Sequence, residues 1–136
     1  MRVTYAVRHI MTKDIVSMES STGVNEAMNL LVEKDIGAVV VTRDGKMIGI
    51  LTERDVLNKC CPQTQCAVMN AGHVMSSPLV TIDADAAIGE AADLMADKKI
   101  RRLLVTEEGK IQGIITERDV IRATLDVFKR LSQASI

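Results

Sequence analysis

Apolar and polar positions follow two rhythms along this chain, and the pair recurs in the same order twice. Val24, Ala27, Met28 and Leu31 fall at i, i+3, i+4 and i+7, one face of a helix. Ala38-Val39-Val40-Val41 is short, apolar and β-branched, which predicts a buried strand. Asp44-Gly45 is a hairpin signal, Met47–Leu51 is the returning strand, and a helix starts after Thr52 and runs toward Cys60. Ahead of these, Asp14–Met18 reads as extended and Glu19–Thr22 as a polar turn. The C-terminal half copies the grammar. Leu79–Ile82 is extended, and Ile88, Ala91, Ala92 and Met95 share a helical face. Leu103–Thr106 and Ile111–Ile115 are strands around Glu108-Gly109. A helix from Thr116 reaches as far as Leu131, with Ile121, Leu125 and Phe128 along one side. Val3–Met11 predicts a short helical lead-in.

The recurrence is a duplication. Shifted by 64 residues, Met11–Leu57 falls on Met75–Ile121 without a gap, and 18 of the 47 paired positions are identical. The longest match sets Gly49-Ile50-Leu51-Thr52-Glu53-Arg54-Asp55-Val56 against Gly113-Ile114-Ile115-Thr116-Glu117-Arg118-Asp119-Val120. The prediction is an α+β fold of two β-α-β-β-α repeats related by a pseudo-two-fold axis. A half of ~60 residues buries only about 60% of the surface its unfolded chain exposes. Packing the two sheets together would give one shared core with a cleft between the halves. We divide the chain into a first domain at residues 7–60 and a connector at 61–72, marked by Pro62 and Gln63-Thr64-Gln65. A second domain follows at 73–123, then a helical extension at 124–136.

Composition narrows the function classes. The net charge of −1 leaves no electrostatic footprint for a nucleic-acid backbone. No apolar run approaches the ~18 residues of a membrane span, and the start lacks a signal-peptide core. The expectation is a cytoplasmic protein with neither nucleic-acid nor membrane partners. Tyr5 and Phe128 are the only aromatics, so a flat ligand would lie between aliphatic side chains and backbone. Cys60, Cys61 and Cys66 are odd in number and clustered, which reads as free thiols rather than a disulfide framework. Adding His73 as a fourth metal ligand gives C-C-x4-C-x6-H, which matches no strong zinc spacing. His9 and His73 both stand away from the Thr-Glu-Arg-Asp segments, so no nucleophile–base pair is in view and the chain reads as a non-enzyme.

Thr-Glu-Arg-Asp has a plain structural account. Thr52 and Thr116 as N-caps, with Asp55 and Asp119 three residues on, approximate capping boxes. The same geometry suits a nucleotide. Free N–H groups and the positive dipole end at a helix start favour phosphate. A Thr hydroxyl there can donate to a phosphate oxygen, and a carboxylate one turn later can accept both ribose hydroxyls.

These residues resemble a tandem pair of CBS domains, the Bateman module, from about Val7 to Ala123. The likeness rests on the duplicated β-α-β-β-α order and two copies of a Gly-apolar-apolar-Thr-x-x-Asp pattern. It implies an adenosine-containing ligand in clefts between the domains: AMP, ADP or ATP ahead of S-adenosylmethionine, with no catalytic cofactor. By the same resemblance, Thr52 and Thr116 contact phosphate or ribose, and Asp55 and Asp119 hold the ribose diol. Ile50 and Ile114 line the pocket, and Ile15, Val16, Leu79 and Val80 flank the adenine. Arg101 and Arg102 match basic residues that reach phosphates in the family, whereas Gly37 and Ala38 stand at the same places in the first repeat. A solvated basic pair at a strand start is the plain alternative. Two unequal sites are expected. The resemblance further implies a stand-alone sensor that forms a homodimer and signals to an unknown effector protein. The competing reading is a dimerisation or interaction module with no physiological nucleotide.

Overall fold

In a computed structural model of the chain, residues 5–60, 66–76 and 79–134 are described. The first repeat forms β1 (Ser17–Glu19), α1 (Val24–Lys34), β2 (Ala38–Arg43), β3 (Lys46–Thr52) and α2 (Glu53–Lys59). A 3₁₀ turn (Cys66–Val68) and a one-turn helix, α3 (Ala71–Val74), follow. The second repeat forms β4 (Thr81–Asp83), α4 (Ile88–Lys98), β5 (Arg102–Glu107), β6 (Lys110–Thr116) and α5 (Glu117–Ala134). The duplicated β-α-β-β-α order is therefore present. In each sheet the first strand pairs parallel with the second, which pairs antiparallel with the third.

Local chemistry accounts for the ends of these elements. Both hairpins place an acidic residue and then a glycine at positive φ: Asp44 at 52° and Gly45 at 78°, Glu108 at 52° and Gly109 at 77°. That pair of left-handed residues is the type I′ turn favoured by two-residue hairpins. α1 and α4 end on left-handed residues, Asp35 and Lys99. Their last turns close when the N–H of Ile36 donates to Leu31 and that of Ile100 to Met95.

The chain divides into two contact units, Ile15–Leu79 and Val80–Ile136 together with Met1–Asp14. The first unit buries Val24, Ala27 and Leu31 of α1 against Val39, Val41, Leu51, Val56, Ala71 and Val74. The second buries Ala91 and Met95 of α4 with Val7, Ala84, Leu103, Val105 and Ile115. Val40 and Leu104, one step out of phase with their neighbours, are also buried. Burial on both faces explains the unbroken apolar runs in β2 and β5.

Each unit is completed by the segment that precedes the other repeat. Ser76 exchanges two backbone hydrogen bonds with Ile50 (2.8 and 3.0 Å), and Thr12 exchanges two with Ile114 (2.8 and 2.9 Å). These bridges lie over glycines. A Cβ on Gly49 would sit 2.5 Å from Met75 Sδ and 2.9 Å from Ser76 O, and one on Gly113 would sit 2.7 Å from Thr12 O. The repeated glycine is thus a requirement for close backbone approach.

Several expectations change here. The helical lead-in is only a 3₁₀ turn, Val7–His9; Val3 and Thr4 lie outside the described residues. Ile15, Val16, Leu79 and Val80 stand just before β1 and β4 rather than inside them. Val16 and Val80 still meet the second strands through the backbone, Val40 N donating to Val16 O (2.9 Å) and Leu104 N to Val80 O (3.0 Å), and their side chains pack against the two cores. The free-thiol reading is corrected for two cysteines. Cys60, fully buried at the end of α2, is joined to Cys66 in a disulfide, with Cα atoms 5.2 Å apart. The cause is tertiary, because the Cys66–Val68 turn folds back onto α1. Cys61, Pro62 and Gln63-Thr64-Gln65 of the connector lie outside the described residues.

Gly49→Ala is expected to destabilise the protein by about 1–3 kcal/mol through overpacking. Gly89→Ala in α4 meets nothing within 4 Å and is expected to be neutral or to stabilise by up to about 1 kcal/mol. Urea unfolding of the two variants checks the contrast.

Candidate functional site

In each repeat the third strand runs directly into a helix, so Thr52 and Thr116 stand where the first turn has unpaired N–H groups. In the first repeat the capping is complete. Asp55 N donates to Thr52 Oγ1 (3.1 Å), while Asp55 Oδ2 accepts from Thr52 N (2.9 Å) and from the Thr52 hydroxyl (3.0 Å). The other oxygen is engaged too. Ser76 Oγ donates to Asp55 Oδ1 at 2.8 Å, and Lys59 Nζ lies 4.0 Å away. The Asp55 side chain is only 12% exposed, so these partners offset the cost of burying a carboxylate.

The second repeat keeps the cap and drops the rest. Asp119 N donates to Thr116 Oγ1 (3.1 Å), and Asp119 Oδ2 accepts from Thr116 N (2.9 Å). Among the described residues, no hydrogen bond reaches Asp119 Oδ1 and the Thr116 hydroxyl donates none to Asp119. The 64-residue shift explains why. Ser76 corresponds to Thr12, which is exposed and makes only the backbone bridge to Ile114. Lys59 corresponds to Ala123, which carries no cation. The Thr116–Asp119 turn therefore retains a hydroxyl donor and a carboxylate acceptor that its counterpart has used.

Basic residues stand beside this turn. Arg102 is paired with Thr116 across the sheet, and Arg101 O accepts from Glu117 N at 2.9 Å. Arg101 is exposed and Arg102 half-buried. The matching position in the first repeat pairs Ala38 with Thr52. The structure thus gathers Arg101, Arg102, Ile114, Thr116 and Asp119 at one end of the second sheet, close to Val80 through β5. In the first unit Ile50, Thr52 and Asp55 are gathered likewise, and Val16 meets the neighbouring strand at Val40, while Ile15 is half-buried just ahead of it. Sequence reasoning missed Ser76 and Lys59. Lys59 stands four residues after Asp55 on α2, a local ion-pair signal, whereas the signal for Ser76 was its mismatch with Thr12, which carries no meaning until the carboxylate is located.

The other candidates are accounted for locally. His9 Nδ1 accepts from Ala6 N (3.1 Å), and His73 Nδ1 accepts from Asn70 N (3.2 Å). Both histidines thus close helical caps. No group of three or more His, Cys, Asp or Glu that could hold a metal is found among the described residues. Arg8 bonds Asp85 and Glu107; these carboxylates, Asp85 first, raise its pKa. A groove of about 430 Å³ runs between α4 and α5 past Met95, Ile100, Arg101, Val120 and Ile121; its lining includes neither Thr116 nor Asp119.

Because Asp55 holds four groups and Asp119 fewer, Asp55→Ala is expected to cost about 3 kcal/mol and Asp119→Ala about 1 kcal/mol. Urea midpoints of the two variants check this, and equal losses would contradict the difference in bonding.

The CBS-domain family model matches residues 7–61 and 71–126. An uncharacterized protein of Methanocaldococcus jannaschii is 30% identical over 139 residues, covering 90% of this chain and 32% of that protein. The chain thus spans about a third of that relative's length. The crystal structure of an uncharacterized conserved protein from Pyrococcus horikoshii superposes with a TM-score of 0.82 at 31% identity, covering 91% of this chain and 95% of the other. The structure of CBSX2 in complex with AMP superposes with a TM-score of 0.74 at 29% identity, covering 90% and 98%.

Proposed function

The chain belongs to the CBS-domain family, and from that premise we propose that it is a regulatory module that binds an adenine nucleotide at the Thr116–Asp119 turn. The observation that carries this reading is the pairing of a capped Asp119 and an uncommitted Thr116 hydroxyl with Arg101 and Arg102 at the same strand end. Asp119 accepts from the ribose diol, and the Thr116 hydroxyl donates to a phosphate oxygen. The α5 N-terminus favours a bound anion through its dipole. Arg forks match phosphate oxygens better than a point charge does. AMP, ADP or ATP fits this set better than S-adenosylmethionine, whose sulfonium is cationic. The AMP held by CBSX2 supports the same choice. Beside the Thr52–Asp55 turn, Gly37 and Ala38 stand where the second repeat has Arg101 and Arg102. The proposed output is binding rather than turnover. Ligand shifts the population between conformations or assemblies, which an effector protein reads.

A homodimer fits the exposed face of α5. Ile121, Leu125, Phe128 and Leu131 are all more than half exposed and recur at near-helical spacing along one side. Replacing Leu125 and Phe128 with Glu is expected to yield monomers in sedimentation analysis, and unchanged mass would remove this surface from the assembly.

Thermal unfolding with AMP, ADP, ATP and S-adenosylmethionine tests the ligand. At a hundred times the Kd, a ligand specific for the folded state adds about 2.7 kcal/mol. Wild type is expected to gain melting temperature with at least one nucleotide, and Asp119→Ala and Arg102→Ala to lose most of that gain. No shift with any adenosine compound would favour the interaction module without a nucleotide.

A further inference from the structure

The two repeats share Thr-Glu-Arg-Asp letter for letter, yet their carboxylates are committed differently. Resting on the nucleotide reading above, we infer that Ser76 and Lys59 act as a built-in ligand for Asp55. They close the first repeat's ribose grip, so the chain takes one adenosine ligand, at Asp119.

Three observations carry this. Ser76 Oγ donates to Asp55 Oδ1 at 2.8 Å, the kind of bond that a ribose hydroxyl makes to a carboxylate. The donor is held in place rather than supplied by a mobile side chain. The Ser76 backbone is bonded twice to Ile50, and Lys59 Nζ fastens the preceding carbonyls of Val74 (3.0 Å) and Met75 (3.1 Å). An incoming ribose must therefore displace a donor whose effective concentration is that of a covalently tethered group. Finally, the Thr52 hydroxyl, which would serve a phosphate, spends its proton on Asp55 Oδ2 at 3.0 Å.

A purely structural account says that Ser76 merely satisfies a buried acid. In the second repeat Asp119 is only half-buried and keeps its cap without help from Thr12, and no lysine stands at Ala123; the two accounts differ in what loss of the Ser76 hydroxyl does to nucleotide binding. The same four-residue motif is thus a latch in one repeat and a grip in the other. Lys59 and Ser76 decide which is which.

Isothermal titration with AMP on the full chain tests the inference. Wild type is expected to bind one equivalent per chain, and Asp119→Ala to lose it. Ser76→Ala, a change at an exposed residue, is expected to gain a second equivalent, as is Ser76→Ala with Lys59→Ala. Losing one hydrogen bond to a carboxylate is worth about tenfold in the competing affinity. The second equivalent should persist in Ser76→Ala/Asp119→Ala, and Ser76→Thr, which keeps the hydroxyl, should stay at one. Wild type binding one equivalent with no gain in either Ser76 variant would overturn the latch and leave the nucleotide reading standing. Two equal equivalents in wild type would do the same. No AMP binding in wild type or in any Ser76 variant would overturn the nucleotide reading for AMP, and the latch with it.

Discussion

The fold of each unit depends on a place where a side chain is missing. Gly49 and Gly113 let a foreign segment lie against the third strand at backbone distance, and any Cβ there would collide with a carbonyl and a methionine. The contact is worth two backbone hydrogen bonds in each unit. Its larger consequence is positional. Residues that precede one repeat in sequence become part of the other repeat's unit, so neither repeat is finished by its own β-α-β-β-α elements. Ser76 reaches Asp55 across 21 residues only because Gly49 is bare.

That borrowed strand is where the repeats part company. Backbone geometry is conserved across the 64-residue shift: Met75-Ser76 over Gly49 repeats as Met11-Thr12 over Gly113. Side-chain chemistry is not. In the Ile15–Leu79 unit the segment carries a hydroxyl into the carboxylate and a lysine fastens it. In the other unit, among the described residues, the corresponding Thr12 makes the backbone bridge without a side-chain bond to Asp119, and the fastening residue is an alanine. Duplicated backbone with divergent side chains is how one motif can serve two purposes. The cap needs only Thr and Asp three residues apart on one turn, whereas a ligand site also needs those groups left unoccupied.

Most secondary structure was legible because its causes are local. Helical spacing in Val24–Leu31, β-branched runs at Val39–Val41 and acid-glycine turns at 44–45 and 108–109 act within a few residues. The Thr52–Asp55 and Thr116–Asp119 caps are equally local, and they place the candidate site residues correctly on strand-to-helix turns. What failed had its cause at a distance. Cysteine spacing gives no reason to join Cys60 to Cys66 until the turn at 66–68 folds back onto α1. Ile15, Val16, Leu79 and Val80 look like strand residues by composition but stand ahead of the paired region.

The sequence by itself determined the duplication, the order of elements, the capped turns and the arginine pair that distinguishes the second repeat. These follow from periodicity, turn chemistry and direct comparison of matched positions, all of which are properties of neighbouring residues. Only the tertiary structure decided which carboxylate is already occupied. Hydrogen-bond commitment depends on which groups converge in space: Lys59 faces Asp55 by its i,i+4 place on α2, but Ser76 reaches that carboxylate through chain packing that no spacing in the sequence records.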